Sequence, residues 1–203
     1  MTNADVREET SRVEAFSDGV FAIALTLLIL EIRVPEQGHG HLVRALIALW
    51  PSYLAFATSF FTIGVMWMNH HRVFSLIGKT DQGLLAANLL LLLVITFIPF
   101  PTALLARNLD NADSSVAAVL YNATFFAAAI AFRVLWSYAS RNNRLIANDA
   151  DPSSVVAITR QYRFGPALYL VLTAIALWNA VVSLALNLIV AVFFAIPTRR
   201  FRR

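Results

Sequence analysis

The sequence predicts an all-α integral membrane protein in which six transmembrane helices form a single domain over residues 1–203. Three observations support this fold class. The chain is 59% hydrophobic and only 14% charged, a composition typical of membrane proteins. Its apolar residues form continuous runs long enough to cross a bilayer, without the period-two alternation of a membrane β-barrel. Its basic residues gather in alternate connecting segments, as they do in multispanning proteins.

Apolar runs of about twenty residues define the helices in order along the chain. The predicted helices are residues 8–33, 42–70, 84–108, 114–140, 153–177 and 180–197. The last apolar block is too long for one span, so we divide it at a turn near Trp178 and Asn179. Pro99 and Pro101 are expected to kink or end the third helix.

The ends of three helices carry local signals. The first helix is expected to be retained rather than cleaved, because acidic and basic residues mix before it and no small-residue cleavage pattern follows it. Asp113 is expected to cap the fourth helix. Asp151 stands directly before Pro152, a residue that the first turn of a helix tolerates, so the fifth helix is expected to begin there.

The distribution of basic residues predicts that both termini lie in the cytoplasm. Twelve Lys and Arg residues fall in the terminal segments and in the loops after the second and fourth helices, whereas the opposite loops hold only Arg33, Arg44 and Arg107. Cytoplasmic loops carry the excess of positive charge, and an even number of spans places both ends on one side. We interpret the basic tail as an anchor at anionic lipid, and we expect no nucleic-acid partner.

The first helix carries an apolar stripe and one intramembrane carboxylate. Ile23, Leu27, Leu30 and Val34 repeat at helical spacing. Lipid contact, ordinary packing and a pore lining all fit that spacing. Asp18 precedes Ile23 by five positions, about 140° around the helix, so a stripe that faced a pore would turn Asp18 towards neighbouring helices.

The second predicted helix ends in aromatic and titratable side chains that match Asp18 in depth. Trp67 and His70 share one face, and His71 is the i+4 neighbour of Trp67. An indole or imidazole nitrogen can donate a hydrogen bond to Asp18 and so offset the cost of a buried carboxylate. Anchoring of these side chains among lipid headgroups explains the same spacing. A metal site is disfavoured because adjacent histidines point in different directions.

Other chemistry is predicted to be absent or weakly signalled. Glu31 lies near the presumed outer end of the first helix, where it either concentrates cations or simply ends the helix in solvent. The chain has no cysteine, no Gly-rich phosphate loop, no HExxH motif and no nucleophile elbow. We therefore expect neither enzyme activity nor a bound cofactor. The Thr-Val-Gly-Tyr-Gly filter of carbonyl-selective potassium channels is also missing.

Two motifs carry a resemblance to a known family. Residues 12–18 read Arg-x-x-x-Phe-Ser-Asp and continue as GVFAIALTLLILEI, and residues 67–74 read WMNHHRVF. These motifs resemble the transmembrane protein 175 family of endolysosomal potassium channels, and most closely its bacterial members, which have one six-helix unit per chain. The resemblance implies a homotetramer in a bacterial plasma membrane that conducts potassium ions, with moderate selectivity over sodium, through a pore lined by the first helix.

The resemblance also implies roles for individual residues. Ile23 would form the pore constriction, with Leu27 and Leu30 as further apolar layers. A polar network would hold the pore helix against its neighbours. The positions that match this network are Arg12, Ser17, Asp18, Trp67 and His70 or His71.

Two other functions compete with a channel. The titratable groups His70, His71 and Asp18 at membrane depth suit a proton-coupled or proton-permeable transporter. A non-conducting membrane scaffold would need none of these groups. Flux that depends on a proton gradient would favour the transporter, and absence of any flux would favour the scaffold.

Overall fold

The computed structural model describes residues 3–35 and 41–195, with side chains from residue 8 onward, and these residues form helices joined by short loops. No strand occurs in the described ranges. The helices are α1 (Asn3–Leu27), α2 (Leu42–Ala48), α3 (Trp50–Phe74), α4 (Gln82–Phe97), α5 (Pro99–Asn108), α6 (Ser114–Ser140), α7 (Pro152–Trp178) and α8 (Ala180–Ala195), with 3-10 turns at Leu28–Glu31 and Arg141–Asn143. The basic tail lies outside the described residues, so its expected anchoring stays a prediction.

Two of the predicted helices are broken in the structure. Pro99 begins α5 directly after α4 ends, as expected for a residue that cannot donate the helical hydrogen bond. The second predicted helix divides at Leu49 into α2 and α3, which are bent by 47°. This break was not predicted, although Pro51 at the start of α3 is a recognisable signal for a helix start. The predicted turn at Asn179 separates α7 from α8.

Length and apolar composition identify fewer membrane spans than the sequence predicts. Within the described residues, three helical stretches are long and apolar enough to cross a membrane: Glu8–Glu31, Gln82–Asn108 and Ser114–Asn143. A fourth qualifies if the bent pair α2–α3 is one span. Neither α7 nor the 16-residue α8 qualifies on these measures. The count of six spans and the cytoplasmic position of both termini remain predictions.

The first helix changes its winding before it ends. The sequence predicts one helix to residue 33, but α1 stops at Leu27 and a 3-10 turn continues to Glu31. Val34 therefore lies beyond the helix and does not extend the helical stripe. In a 3-10 turn the side chains at i and i+3 eclipse, so Leu27 and Leu30 are expected to stay aligned despite the change of winding.

The predicted helix start at Pro152 is confirmed, whereas the predicted cap at Asp113 forms no side-chain bond. Asp151 accepts hydrogen bonds from the backbone N–H groups of Ser153 and Ser154 at 3.1 and 3.0 Å. Bonds from the two serine hydroxyls and backbone amides lower the pKa of Asp151 to about 2. The side chain of Asp113 makes no capping bond to α6, so that prediction was wrong.

The core is built around α6. This helix packs against α4, α5 and α7, while α3 packs against α5 and α8. Tyr121, Phe125, Leu135 and Trp136 of α6 are fully buried. By contrast, α1 lies at the side of the bundle, where it contacts α3 and α4. This position leaves one long face of α1 without a partner among the described residues.

Polar side chains inside the bundle bond across helices. Ser59 of α3 lies 2.8 Å from the Thr102 hydroxyl of α5 and 3.0 Å from the Tyr121 hydroxyl of α6. Asn122 donates to the Ser183 hydroxyl, and the buried Asn187 donates to the Asn122 carbonyl. Small hydroxyl and amide side chains commonly join membrane helices in this way.

Two loops at one end of the bundle are joined by their backbones. We call the α3–α4 loop and the α6–α7 loop together the loop pair. The N–H of Gly78 donates to the Leu145 carbonyl at 2.8 Å, and the N–H of Ala147 donates to the Leu76 carbonyl at 2.9 Å. A Cβ on Gly78 would lie only 2.7 Å from the Cα of Ala147, so the close approach requires glycine.

Asp81 fixes the start of α4 within the loop pair. It accepts from the Leu84 backbone N–H at 2.8 Å, from Arg144 at 2.8 Å and from the Tyr138 hydroxyl at 3.0 Å. The bond from the Leu84 N–H, together with the tyrosine hydroxyl and the guanidinium, holds the pKa of Asp81 below its ordinary value.

Candidate pore helix and its polar network

One face of α1 is anchored to the rest of the chain. Its buried residues recur at spacings of four, three and four, which places them on one side of a helix. They are Ser17, Phe21, Ala24 and Leu28. This face meets α3 and α4. It therefore fixes which way the other face of the helix points.

The opposite face is apolar and exposed. The residues predicted as the pore constriction lie on it, with exposed fractions of 59% for Ile23, 42% for Leu27 and 70% for Leu30. Large apolar side chains in a row need lipid, another copy of the chain or a pore around them. Packing against the rest of the described chain is thus removed from the interpretations that the sequence left open.

Asp18 is paired with tryptophan. The indole Nε1 of Trp67 donates to Asp18 Oδ1 at 2.9 Å, which joins α1 to α3. This contact confirms the predicted pairing of the indole with the carboxylate. The sequence allowed a histidine as the alternative donor to Asp18, but His70 and His71 bond to Asn88 and Glu14 instead.

His70 belongs to a buried polar chain that reaches a third helix. Its Nε2 donates to Asn88 Oδ1 at 3.0 Å, and the Asn88 amide donates to the Ser17 hydroxyl at 2.9 Å. All three residues are buried. The His70 ring also stacks on Phe74 with centroids 4.4 Å apart. We call Ser17, Asn88 and His70 the buried polar chain, and it links α1, α4 and α3.

His71 pairs with Glu14 rather than with Asp18. Its Nδ1 lies 2.6 Å from Glu14 Oε1, at the more exposed end of the α1–α3 contact. Sequence reasoning missed both Glu14 and Asn88. Glu14 stands four residues before Asp18 on the same face of α1, so helical spacing could have identified it. Asn88 carried no such signal, because the spacing within α4 does not show which helix it faces.

Two charged residues flank the apolar stripe, Arg12 within α1 before it and Glu31 in the 3-10 turn after it. Arg12 is exposed and makes no hydrogen bond or ion pair with another described residue, so one chain does not place it in the network. At the other end, Glu31 Oε2 lies 3.6 Å from a guanidinium nitrogen of Arg107. That pairing reduces the negative charge which Glu31 presents at its end of the helix.

No metal site is formed within the described part of the chain, since no three His, Cys, Asp or Glu side chains converge there. The polar side chains around α1 instead pair with one another. Their role is structural, because they hold α1 at a fixed rotation and leave its apolar face exposed.

Comparison with known proteins identifies the family. The family model described as "Endosomal/lysosomal potassium channel TMEM175" matches residues 12–99, which include both sequence motifs. A relative from Chamaesiphon minutus, named as a potassium channel, is 51% identical over 199 residues, covering 97% of this chain and 98% of the relative. The chain belongs to the TMEM175 family.

Other members of the TMEM175 family match this chain in sequence or in structure. One from Streptomyces collinus, also named as a potassium channel, is 42% identical over 94% of this chain and 96% of its own length. The crystal structure of the Chamaesiphon minutus TMEM175 homologue superposes with a TM-score of 0.83 at 50% identity, covering 93% of this chain and 97% of that chain. The Gallus gallus relative, named as an endosomal/lysosomal proton channel, is 37% identical over 66% of this chain but 28% of its own length.

Membership of TMEM175 settles the broad class of the protein. The family is one of ion channels and not of enzymes. The apolar helices of the described chain agree with an integral membrane protein. The resemblance drawn from the two sequence motifs is therefore confirmed at the level of the family.

Proposed function

We propose that this TMEM175 chain forms a homotetrameric potassium channel in a bacterial plasma membrane, with both termini in the cytoplasm and potassium moderately favoured over sodium. The observation that carries the proposal is the two-faced character of α1. One face is anchored to α3 and α4, and the other presents Ile23, Leu27 and Leu30 to the outside of the chain. Relatives named as potassium channels support the choice of ion.

The three apolar layers would be evenly spaced along the pore. Ile23 and Leu27 are four residues apart in an α-helix, a rise of about 6 Å. Leu30 lies three residues beyond Leu27, within the 3-10 turn that follows α1, again a rise of about 6 Å. Four chains would stack these side chains as successive rings. Apolar rings cannot replace an ion's hydration shell, so small changes in radius would control passage by dewetting.

The polar contacts around α1 would set the radius of those rings. The Asp18–Trp67 bond, the Glu14–His71 pair and the buried polar chain hold α1 at three points. A helix held in this way cannot rotate without breaking buried hydrogen bonds, which is costly in a low-dielectric interior. Selectivity that depends on fractions of an ångström needs such support.

The substitution Ile23→Asn tests the proposal directly. We expect the polar side chain to wet the narrowest ring and to weaken discrimination between potassium and sodium. The reversal potential of purified protein in a planar bilayer, with potassium and sodium on opposite sides, measures this change. Ile189→Asn is the matched control, because Ile189 is an exposed isoleucine on α8.

Three outcomes of this measurement are distinguishable. A reversal potential that collapses towards zero in Ile23→Asn but not in Ile189→Asn supports Ile23 as the selective ring. Equal reversal potentials in the wild type and both variants would remove Ile23 from the constriction. Absence of current from the wild-type protein would contradict the channel itself.

A proton-permeable protein is the second candidate. The proton-channel name of the Gallus gallus relative favours it, as does His70, whose Nδ1 is buried without a hydrogen-bond partner in the described chain. A pH gradient across the same bilayer, without a gradient of potassium, distinguishes the two. A reversal potential that follows the pH gradient would favour proton permeation.

A further inference from the structure

A cavity of about 730 Å³ lies between α3, α7 and α8, away from the exposed stripe of α1. Apolar side chains form most of its wall, among them Met66 and Leu168. Val156 and Phe164 of α7 and Phe194 of α8 line it and are exposed on the outside of the bundle. The cavity therefore opens sideways, in the direction of the surrounding lipid, and its volume suits a ligand of moderate size.

One end of the cavity is polar and positively charged. Arg160, Gln161 and Asn69 line it there, and Gln161 donates to the Asn69 carbonyl at 3.2 Å. Arg160 is exposed, and no carboxylate of the described chain forms an ion pair with it. A guanidinium beside an apolar cavity favours a ligand that joins an anionic group to a hydrocarbon chain.

From Arg160 to Tyr169, the length of the cavity along α7 is close to the hydrocarbon thickness of one leaflet of the bilayer. Arg160 and Tyr169 both line it and are nine residues apart, about 14 Å along the helix. Half of a hydrocarbon core of about 30 Å is about 15 Å. A hydrocarbon chain whose anionic group meets Arg160 would therefore extend to the middle of the bilayer.

The cavity continues past Arg160 towards the start of α7, where its wall includes Val156 and Ala157. Ser153 also lines the cavity and lies seven residues earlier, about 10 Å further along α7. A fatty acid would end at its carboxylate near Arg160. A phospholipid with its phosphate at Arg160 would place its headgroup in this additional space, while the glycerol backbone would lie on the side of the acyl chain.

We propose that the cavity is a binding site for an anionic phospholipid, with the phosphate on Arg160 and one acyl chain between α3, α7 and α8. Basic pockets between membrane helices on the cytoplasmic side suit anionic headgroups. The assignment to the inner leaflet rests on the proposed orientation, whereas the site itself does not depend on ion conduction.

Binding of defined lipids to the purified, delipidated protein tests the proposal. The protein is incubated with equal amounts of phosphatidylglycerol and phosphatidylcholine, and native mass spectrometry counts the lipids retained per chain. We expect preferential retention of phosphatidylglycerol, and a loss of about fivefold in its affinity for Arg160→Ala. Arg163→Ala is the matched control, because Arg163 is an exposed arginine of the same helix that does not line the cavity.

A second variant tests the hydrocarbon part of the site. Gly165 lines the cavity, and a Cβ placed on it would meet only Ala129, at 4.0 Å. Gly165→Leu therefore fills space in the cavity, and we expect it to weaken retention of phosphatidylglycerol while Arg160 is intact. Oleate is tested in parallel, since it has the chain and the charge but no glycerol headgroup.

Four results would overturn the proposal. The wild type could retain the two phospholipids equally, or the affinity for phosphatidylglycerol could fall equally in Arg160→Ala and Arg163→Ala, or it could be unchanged in Arg160→Ala. The fourth result is that the protein binds oleate and excludes phosphatidylglycerol. The first three would indicate general contact with lipid, and the last would assign the cavity to a fatty acid. If Gly165→Leu fails to fold, the comparison of the two arginine variants still decides.

Discussion

Asn88 is the residue through which three helices share one buried hydrogen-bond system. Its amide oxygen accepts from His70 and its amide nitrogen donates to Ser17. Both partners are fully buried, so neither can exchange its lost bond for one to water. Beside the Asp18–Trp67 and Glu14–His71 contacts, one uncharged side chain therefore helps to fix the rotation of α1 relative to α3 and α4.

The substitution Asn88→Ala tests this dependence. It leaves His70 and Ser17 without their shared partner, and we expect the free energy of unfolding to fall by about 2 kcal/mol. Denaturation of the purified protein in mixed micelles, followed by circular dichroism, measures the change. Thr96→Ala is the control, because Thr96 lies on the same helix and is exposed, and its hydroxyl donates only to the Leu93 backbone carbonyl of that helix.

If the free energy of unfolding falls no further in Asn88→Ala than in Thr96→Ala, the role of the buried polar chain is contradicted. We expect a further effect on potassium selectivity in Asn88→Ala, because α1 would rotate more freely. The same bilayer measurement of reversal potential detects it.

The placement of single side chains followed from the sequence where spacing within a helix or a short motif carried the signal. The faces of α1 follow from its own spacing, and the pairing of Trp67 with Asp18 follows from a motif. The partners of His70 and His71 did not follow, because they depend on how α1, α3 and α4 are placed relative to one another. That placement is a property of tertiary packing and has no periodic signature in the sequence.

At the scale of elements, apolar length and proline located most helix ends. Pro99 marks the start of α5, and Asp151 marks the start of α7. The 3-10 turn at Leu28–Glu31 has no such marker, because Leu and Ile are compatible with continued α-helix. The break at Leu49 lies within a continuous apolar run, so Pro51 was not recognised as the start of a separate helix.

The loop pair provides a test at this scale. In Gly78→Ala the new Cβ would meet the backbone of Ala147 at 2.7 Å, so the two loops must separate. We expect the free energy of unfolding to fall by about 1–3 kcal/mol, the cost typical of an overpacked contact. Chemical denaturation of the purified protein measures it.

Gly64→Ala is the control for the loop substitution. Gly64 lies inside α3, and a Cβ there meets nothing within 4 Å in the chain. Alanine favours a helix over glycine by about 0.8–1.0 kcal/mol, so we expect this variant to be as stable as the wild type or more stable. A destabilised Gly64→Ala beside an unchanged Gly78→Ala would reverse our interpretation of both glycines.

At the scale of the whole molecule, the described chain presents two different lateral surfaces. The exposed stripe of α1 lies on one side, and the cavity between α3, α7 and α8 lies on another. A tetramer with α1 at its centre would place the first surface at the axis and leave the second available to lipid. The family and the helical class followed from sequence, but the assembly does not follow from a single chain.

The number of chains in the assembly is the measurement that tests this arrangement. Each chain has a mass of 22.5 kDa, so a homotetramer has a mass of about 90 kDa before lipid is added. We expect native mass spectrometry of the detergent-solubilised protein to show this species as the main one. A stable monomer or dimer with normal currents would remove the four-fold pore.

The bridge between Ile77 and Ile146 also has a consequence for the order in which the chain folds. It joins positions roughly seventy residues apart, and closing so long a segment costs entropy that its two hydrogen bonds do not recover alone. The segment that it encloses contains α4, α5 and α6. We therefore expect the bridge to form late in folding, after these helices have packed against one another.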